Sequence, residues 1–323
     1  MRSSSPRPLP RQLAVAGIAA AAALALVGCS SSSDAAAPAD AAETPASDVF
    51  SQELHDLLPA SIQESGVISF GALWETPPVI GVDVNDATTP IGIAPELVAQ
   101  IAPILGVETE WMNLQWPAQL PGVQAGTVDA LFGQVTVTAE REQSIVDLVP
   151  FQKTQEGLLL PEGNPEGIEK IADMCGMTIA VPVGSNQSEA VKAISDAECG
   201  GTPVEMAEYQ GATSAVQALR AGTVDAWFDT IGSLDAIVDA DGATFTSIVL
   251  PETEMPTQFG GIAISKSNPG LSEAIAGALK VLIENGSYDA VYDEYDVASM
   301  AITTDELVIN PVTGTAPGEV AAS

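Results

Sequence analysis

One hexapeptide occurs twice in this chain. Ala125-Gly126-Thr127-Val128-Asp129-Ala130 returns unchanged as Ala221-Gly222-Thr223-Val224-Asp225-Ala226. In both copies an apolar stretch at helical spacing runs into the glycine, with Leu120 and Val123 before the first and Val216 and Leu219 before the second. Glycine there suits the left-handed position that closes a helix, and the aspartate then opens a strand. Each half of the chain therefore carries the same helix–glycine–strand unit, and two similar α/β lobes are expected. The 323 residues suffice for about two domains of ~150 residues. A hydrophobic content of 46% supplies a core and excludes wholesale disorder.

Around the repeat, short β-branched runs alternate with helical periodicity. Residues 67–73 read as a strand, and 95–105 as a helix with Leu97, Ile101 and Ile104 on one face and Gly106 beyond its end. Strands at 107–112 and 128–135 follow, with a helix between them. Such alternation implies parallel sheets, beyond whose strand carboxyl ends ligands gather. Along the two repeat strands those ends are Gly133, Gln134 and Thr136 in one lobe, and Asp229 and Thr230 in the other. Residues 157–160 are expected to leave the first lobe and 260–264 to return to it, which makes a two-strand hinge. The expected division is 49–157 for the first part of lobe one, 158–259 for lobe two and 260–300 for the return. Within the return, Ile275, Leu279, Leu282 and Ile283 face inward and Gly286 ends the helix. Residues 301–323 are expected to form a C-terminal tail, disordered from 310.

The N-terminus reads as an address. Arg2, Arg7 and Arg11 precede an apolar stretch, 13–27, that is too short and Ala-rich for a stable span. It ends in Leu26-Val27-Gly28-Cys29, which looks like a bacterial lipoprotein signal over 1–28 with Cys29 as the lipidated first residue of the mature chain. A plain secretory signal with a chance cysteine is the alternative. Each buried lipid CH₂ contributes ~0.8 kcal/mol, and more than one chain makes such an anchor lasting. Residues 29–48, rich in Ser, Ala, Pro and acids, read as a disordered tether. Cys175 and Cys199 then remain as an even pair outside the reducing cytoplasm. A disulfide between them would stabilise by roughly 3.5 kcal/mol; two buried free thiols are the alternative. Two sulfurs with no nearby His fall short of the four ligands of zinc, so no metal is expected.

The charge balance, 43 Asp and Glu against 10 Lys and Arg for a net −33, repels phosphate backbones and excludes nucleic acid as a partner. Beyond residue 28 the cations are Arg141, Lys153, Lys170, Lys192, Arg220, Lys266 and Lys280. A cation this scarce, at a strand-to-helix junction beside Thr136 and Thr138, makes Arg141 an anion clamp: guanidinium offers a planar fork to a carboxylate. A surface Arg pairing with the many acids is the alternative. Gly184-Ser185-Asn186 precedes a helical stretch and offers backbone N–H groups to an anion, or else is a simple helix cap.

The segment Gly126-Thr127-Val128-Asp129-Ala130, followed by Val135-Thr136-Val137-Thr138 and Glu140-Arg141, resembles the "G-x-x-D … T-[IV]-T-x-x-R" signature of the extracellular solute-binding proteins of family 3, the polar amino-acid receptors of ABC importers. Supporting elements are Trp74-x-x-Pro77-Pro78, Gly92-Ile93-x-x-Glu96-Leu97, Val181-x-x-Gly184-Ser185 and Asn285-Gly286-Ser287-Tyr288, so the resemblance spans about 58–297. It implies an α/β, two-lobed periplasmic-binding-protein-like fold (type II) with two hinge crossings. It also implies that Arg141 grips a ligand carboxylate with help from Thr136 and Ser185, that Trp116 packs on the ligand, and that Asp229 lies near the acid that holds the α-amino group. Trp74, Gln134, Asn186 and Thr230 complete the expected site. The chain departs from the pattern at three places: Leu73-Trp74-Glu75-Thr76, Gln134, and Asp229, which follows Asp225 by four residues while Thr230 holds the fifth place.

The resemblance implies a lipid-anchored receptor at the outer face of the cell membrane, without cofactor, that captures a polar amino acid or similar carboxylate-bearing solute. An ABC permease and ATPase are the expected partners, the membrane is expected to be met through the lipid alone, and a monomer is expected. An enzyme on the same fold, such as a secreted dehydratase, would need a tuned acid or base. His55 is the chain's one His, away from the strand ends, which leaves no Ser-His or Cys-His arrangement and only Glu75 or Asp229 as bases. A sensor or surface binding protein not coupled to a transporter is the remaining alternative.

Overall fold

The computed structural model describes residues 49–83 and 86–320. The signal segment, Cys29 and the tether lie outside the described residues. Two short helices, α1 (Gln52–Leu57) and α2 (Ala60–Ser65), lead into β1 (Val67–Ala72), the hairpin β2 (Gly81–Asp83) and β3 (Asp86–Ile91), and α3 (Ile93–Leu105). Then come β4 (Glu108–Asn113), α4 (Trp116–Gln124), β5 (Ala130–Thr136), α5 (Ala139–Gln143) and β6 (Val146–Thr154). The second lobe holds β7 (Glu156–Pro161), β8 (Thr178–Pro182), α6 (Asn186–Glu198), β9 (Glu205–Tyr209), α7 (Ala212–Arg220), β10 (Ala226–Thr230), α8 (Ile231–Asp241) and β11 (Phe245–Val249). Strand β12 (Gln258–Ser265) and helices α9 (Pro269–Asn285) and α10 (Ser287–Glu294) return to the first.

Two five-stranded sheets result, ordered β4-β1-β5-β12-β6 and β11-β7-β10-β8-β9. Neither is wholly parallel. In the first, β1 lies parallel to β4 and β5 while β12 runs antiparallel to β5 and β6; in the second, β8 lies parallel to β9 and β10 while β7 runs antiparallel to β10 and β11. The crossing strands cause this mixture. Chain entering a lobe from the crossing runs opposite to the repeat strand, which points toward the cleft, so β7 and β12 pair against β10 and β5. The crossings themselves are brief: Gln155 alone separates β6 from β7, and residues 250–257 link β11 to β12.

The repeat has a structural meaning. Gly126 and Gly222 follow the ends of α4 and α7 with φ of 71° and 67°, in the left-handed region that a side chain would strain. Asp129 and Asp225 each lock the neighbouring parallel strand: Asp129 Oδ2 accepts from Ser69 N at 2.8 Å and from Ser69 Oγ at 2.5 Å, and Asp225 Oδ2 accepts from Thr178 N at 2.8 Å. The same six residues thus set strand register in both lobes.

Apolar layers cover the sheets. On one face of the first sheet Phe70, Phe132 and Phe151 pack against Leu97 and Ile101 of α3 and Ile275 and Leu279 of α9. The expected helix at 95–105 starts two residues earlier, and Gly106 closes it in the left-handed conformation. Of the residues expected to face inward from α9, Ile275, Leu279 and Leu282 are buried and Ile283 is half-buried. Helix α1 can lie close on α9 because residue 277 is glycine, where a Cβ would stand 2.4 Å from Leu54 Cδ2. The second sheet is covered by a layer around Leu158, Ile179 and Phe228 on one side and by another around Leu159, Trp227 and Phe245 on the other. Each such side chain contributes ~1.5–3 kcal/mol on burial. Cys175 and Cys199 form a disulfide with Cα atoms 5.3 Å apart, joining the end of α6 to the segment before β8.

The C-terminal stretch corrects the expectation of disorder from residue 310. Asn310 is fully buried: its N–H donates to Leu148 O, its Oδ1 accepts from Leu148 N, and its Nδ2 donates to Asp147 Oδ1. Asp147 also receives Lys266 Nζ at 2.8 Å and Gly318 N at 2.8 Å, while Glu142 receives the N–H groups of Val312 and Thr313. Two buried carboxylates of the first lobe therefore hold a segment whose composition, mostly Pro, Thr, Gly and Ala with the exposed Val312 and Val320, carries no periodic apolar signal.

Candidate ligand-binding site

The carboxyl ends of β5 and β10 open on a shared cleft. From the first lobe, Trp116, Gln134 and Thr136 line it. From the second come Ser185, Asn186, Asp229 and Thr230. Of the expected site residues, only Arg141 and Trp74 are absent from the lining. Trp74 instead packs with Ala72 and Ile80 and is 8% exposed, so the surface of its loop in the cleft is Leu73 and Thr76.

Arg141 stands at the cleft's edge. Thr138 caps α5, its Oγ1 accepting from Arg141 N at 3.3 Å, and this short helix turns the guanidinium back over the end of β5. Its Nη1 donates to Thr136 O at 2.7 Å, and its Cζ lies 5.5 Å from the Trp116 ring centroid, so it touches two residues of the lining. The residue is 9% exposed. Burial holds the guanidinium below its ordinary pKa, opposed by the charges of Glu140, Glu189 and Glu156. Among the described residues no carboxylate forms an ion pair with it. A buried cation with one backbone partner keeps donors free for an anion.

The second lobe presents the opposite charge. Asp229, the next-to-last residue of β10, accepts from Thr230 N at 2.8 Å. Burial raises its carboxyl to about 6. Glu156 heads β7 opposite Thr230 in the ladder. Burial first, and then the charge of Asp229, raise Glu156 to about 8, against the hydrogen bonds from Gln187 Nε2 at 3.3 and 3.1 Å to its two oxygens. Neither acid is ion-paired among the described residues. Trp227 Nε1 and Asn186 Nδ2 are buried beside these acids without completing a hydrogen bond. Ser185 caps α6, with its Oγ accepting from Ser188 N at 3.2 Å. The site thus combines one cation at its first-lobe edge with the buried acid Asp229 in its second-lobe lining, and Glu156 lies beside it on the paired strand.

Glu156 is the residue that sequence reasoning missed. Its signal was an acid at the lobe crossing, immediately before the apolar run 157–160. Gln134 reaches across the cleft as its departure from the pattern suggested, its Nε2 donating to Thr230 Oγ1 at 3.3 Å while its Oε1 accepts from Gln152. His55 lies in α1, its Nδ1 2.8 Å from Leu105 O, away from the cleft. Among the described residues no His, Cys, Asp and Glu cluster could hold a metal, and no helix is long and apolar enough to cross a membrane.

Two α/β lobes, two crossings and a polar cleft between strand ends define a two-lobed solute-binding protein of the type II periplasmic class. The chain belongs to the bacterial extracellular solute-binding proteins, family 3, whose model matches residues 68–297. It is similar to the L-cystine-binding protein TcyJ of Escherichia coli (strain K12), 23% identical over 72% of this chain and 84% of that protein. The arginine-binding protein ArgT of Corynebacterium glutamicum is 27% identical over 80% of this chain and 83% of its own length. Among solved structures, an ancestral arginine-binding protein bound to glutamine matches with a TM-score of 0.65 at 25% identity, over 72% of this chain and 98% of that one. The ancestral amino acid-binding protein AncCDT-1, a precursor of cyclohexadienyl dehydratase, has the same fold, with a TM-score of 0.63 at 23% identity over 73% and 97%.

Proposed function

We propose that this protein is the receptor of an ABC importer and captures an amino acid by closing its two lobes. The observation that carries this reading is Arg141: a buried guanidinium beside Thr136 and Trp116 with no carboxylate of its own. The ligand's α-carboxylate takes that place, with Thr136 and the helix N-terminus at Ser185 and Asn186 supplying further donors. Its α-amino group faces Asp229, and Trp116 packs on its body. Closure about the crossings at Gln155 and 250–257 excludes water, which strengthens each charged contact. The ligand stabilises the closed form by its differential affinity for it. Relatives that bind arginine and cystine support an amino-acid ligand, and the acid Asp229 in the second-lobe lining supports a ligand with cationic nitrogen. The protein acts as a monomer, held at the outer face of the cell membrane by lipid on Cys29, and passes its cargo to a permease driven by an ATPase.

A second reading, an enzyme on this fold, draws on the raised carboxyls of Glu156 and Asp229, which are suited to proton transfer. Calorimetry against the twenty common amino acids separates the two. Reversible binding with the ligand recovered unchanged supports the receptor; turnover of the ligand, or no binding by any of the twenty, removes it.

A further inference from the structure

Glu75 does not line the cleft, yet it spans the two lobes. Its Oε2 accepts from Thr213 N at 3.2 Å and from Thr213 Oγ1 at 2.8 Å. Thr213 is the second residue of α7, whose cap residue is Gly211, so the helix has no side chain of its own for its free N–H groups. A carboxylate is the group that the positive end of a helix favours.

We infer that Glu75 is an interlobe cap, a positioning residue of the first lobe that engages α7 of the second when the lobes meet and sets the lifetime of the closed complex. The inference rests on the receptor reading through hinge closure. Three observations carry it. Helix α7 is uncapped within its own lobe. Residue 211 is glycine, where a Cβ would stand 3.1 Å from Glu75 Oε2 and push the carboxylate back by a few tenths of an ångström. The other hydrogen bonds across the cleft, Gln134 Nε2 to Thr230 Oγ1 at 3.3 Å and Thr136 Oγ1 to Asn186 Oδ1 at 3.4 Å, use lining residues whose polar atoms a ligand competes for. The contact at Glu75 is compatible with an occupied cleft. It also holds Gly211 and Ala212, both lining residues, against the first lobe. Glu75 thereby stabilises the closed state without touching the ligand.

The test uses the mature protein and the tightest binder among the twenty common amino acids, followed by stopped-flow tryptophan fluorescence and by amide hydrogen exchange. A charge-assisted cap is worth about tenfold in an equilibrium constant. Glu75→Ala should raise koff about tenfold and leave kon and Tm unchanged. Glu75→Gln and Thr213→Val, each of which keeps part of the contact, should give smaller rises. The Thr213 amide of the liganded protein should exchange faster in Glu75→Ala, and Gly211→Ala should copy that effect. If koff and Thr213 exchange match wild type in Glu75→Ala while Arg141→Ala still loses binding, the cap is refuted and the receptor reading stands. If wild type binds none of the twenty, the receptor reading fails and the cap, which needs a closed complex, is overturned with it.

Discussion

The two lobes use one design with opposite charge at its tip. In both, a helix closes on a left-handed glycine, an aspartate locks the parallel neighbour, and an apolar strand runs to the cleft. Where β5 ends, the chain supplies Thr136 and the cation Arg141; where β10 ends, it supplies the acid Asp229, with Glu156 next to it on the paired strand. Identical scaffolds position these residues, and the residues after the repeat decide which charge each lobe offers. On the proposed function, a zwitterion between them would satisfy both lobes, and neither alone would hold it.

The largest effect is expected at the cationic tip. Arg141→Ala should cost about 2–5 kcal/mol of binding with the fold unchanged, since removing one partner leaves the ligand carboxylate buried and unpaired. Calorimetry reads the affinity and circular dichroism the fold. Next comes the cross-link that only the second lobe has: Cys175→Ser with Cys199→Ser should lower stability by about 2–5 kcal/mol in urea unfolding. At the acidic tip, Asp229→Asn should weaken an amine-bearing ligand by about 1.5–3 kcal/mol. Its wild-type counterpart is a pH effect. With Asp229 at about 6, affinity for a zwitterion should fall as pH drops through 6, because the acid must lose its proton to pair with the amine.

Glu156 gives a smaller and separable signal. Its folded value, about 8, lies above that of an unfolded glutamate, so the folded state holds the extra proton. Ligand-free stability should therefore decline as pH rises from about 4.5 toward 8, and Glu156→Gln should flatten that decline in thermal melts. Smallest is the difference between the two register locks. Asp129 accepts from a backbone N–H and a hydroxyl whereas Asp225 accepts from a backbone N–H, so Asp129→Ala should destabilise more than Asp225→Ala, each by about 1–3 kcal/mol. Equal losses would mean that the Ser69 hydroxyl adds nothing.

The repeat made the two lobes and both strand ends legible, because glycine at a helix end and aspartate at a strand start are local requirements that sequence displays. Seven of the nine expected site residues line the cleft: Gln134, Thr136, Asp229 and Thr230 for that reason, and Trp116, Ser185 and Asn186 through the helix start at 185–186 and the family resemblance. Trp74 was misjudged because an aromatic near a strand end reads alike whether it faces a ligand or Ile80. Glu156 was missed because its meaning comes from β10, seventy residues away in order and adjacent in the sheet. The C-terminal stretch was missed for a similar cause: Asp147 and Glu142 hold it, and neither lies within it. Mixed strand direction, too, depends on where the chain crosses between lobes, which alternation of elements does not specify.

The sharpest single measurement works on the ligand. Titrate the mature protein by calorimetry with its tightest amino acid and with the methyl ester of that amino acid, which keeps the amine and side chain and removes the carboxylate charge. Affinity for the ester at least a hundredfold weaker is expected, with the gap closing in Arg141→Ala. An ester that binds wild type as tightly as its parent acid would contradict capture by oppositely charged lobes.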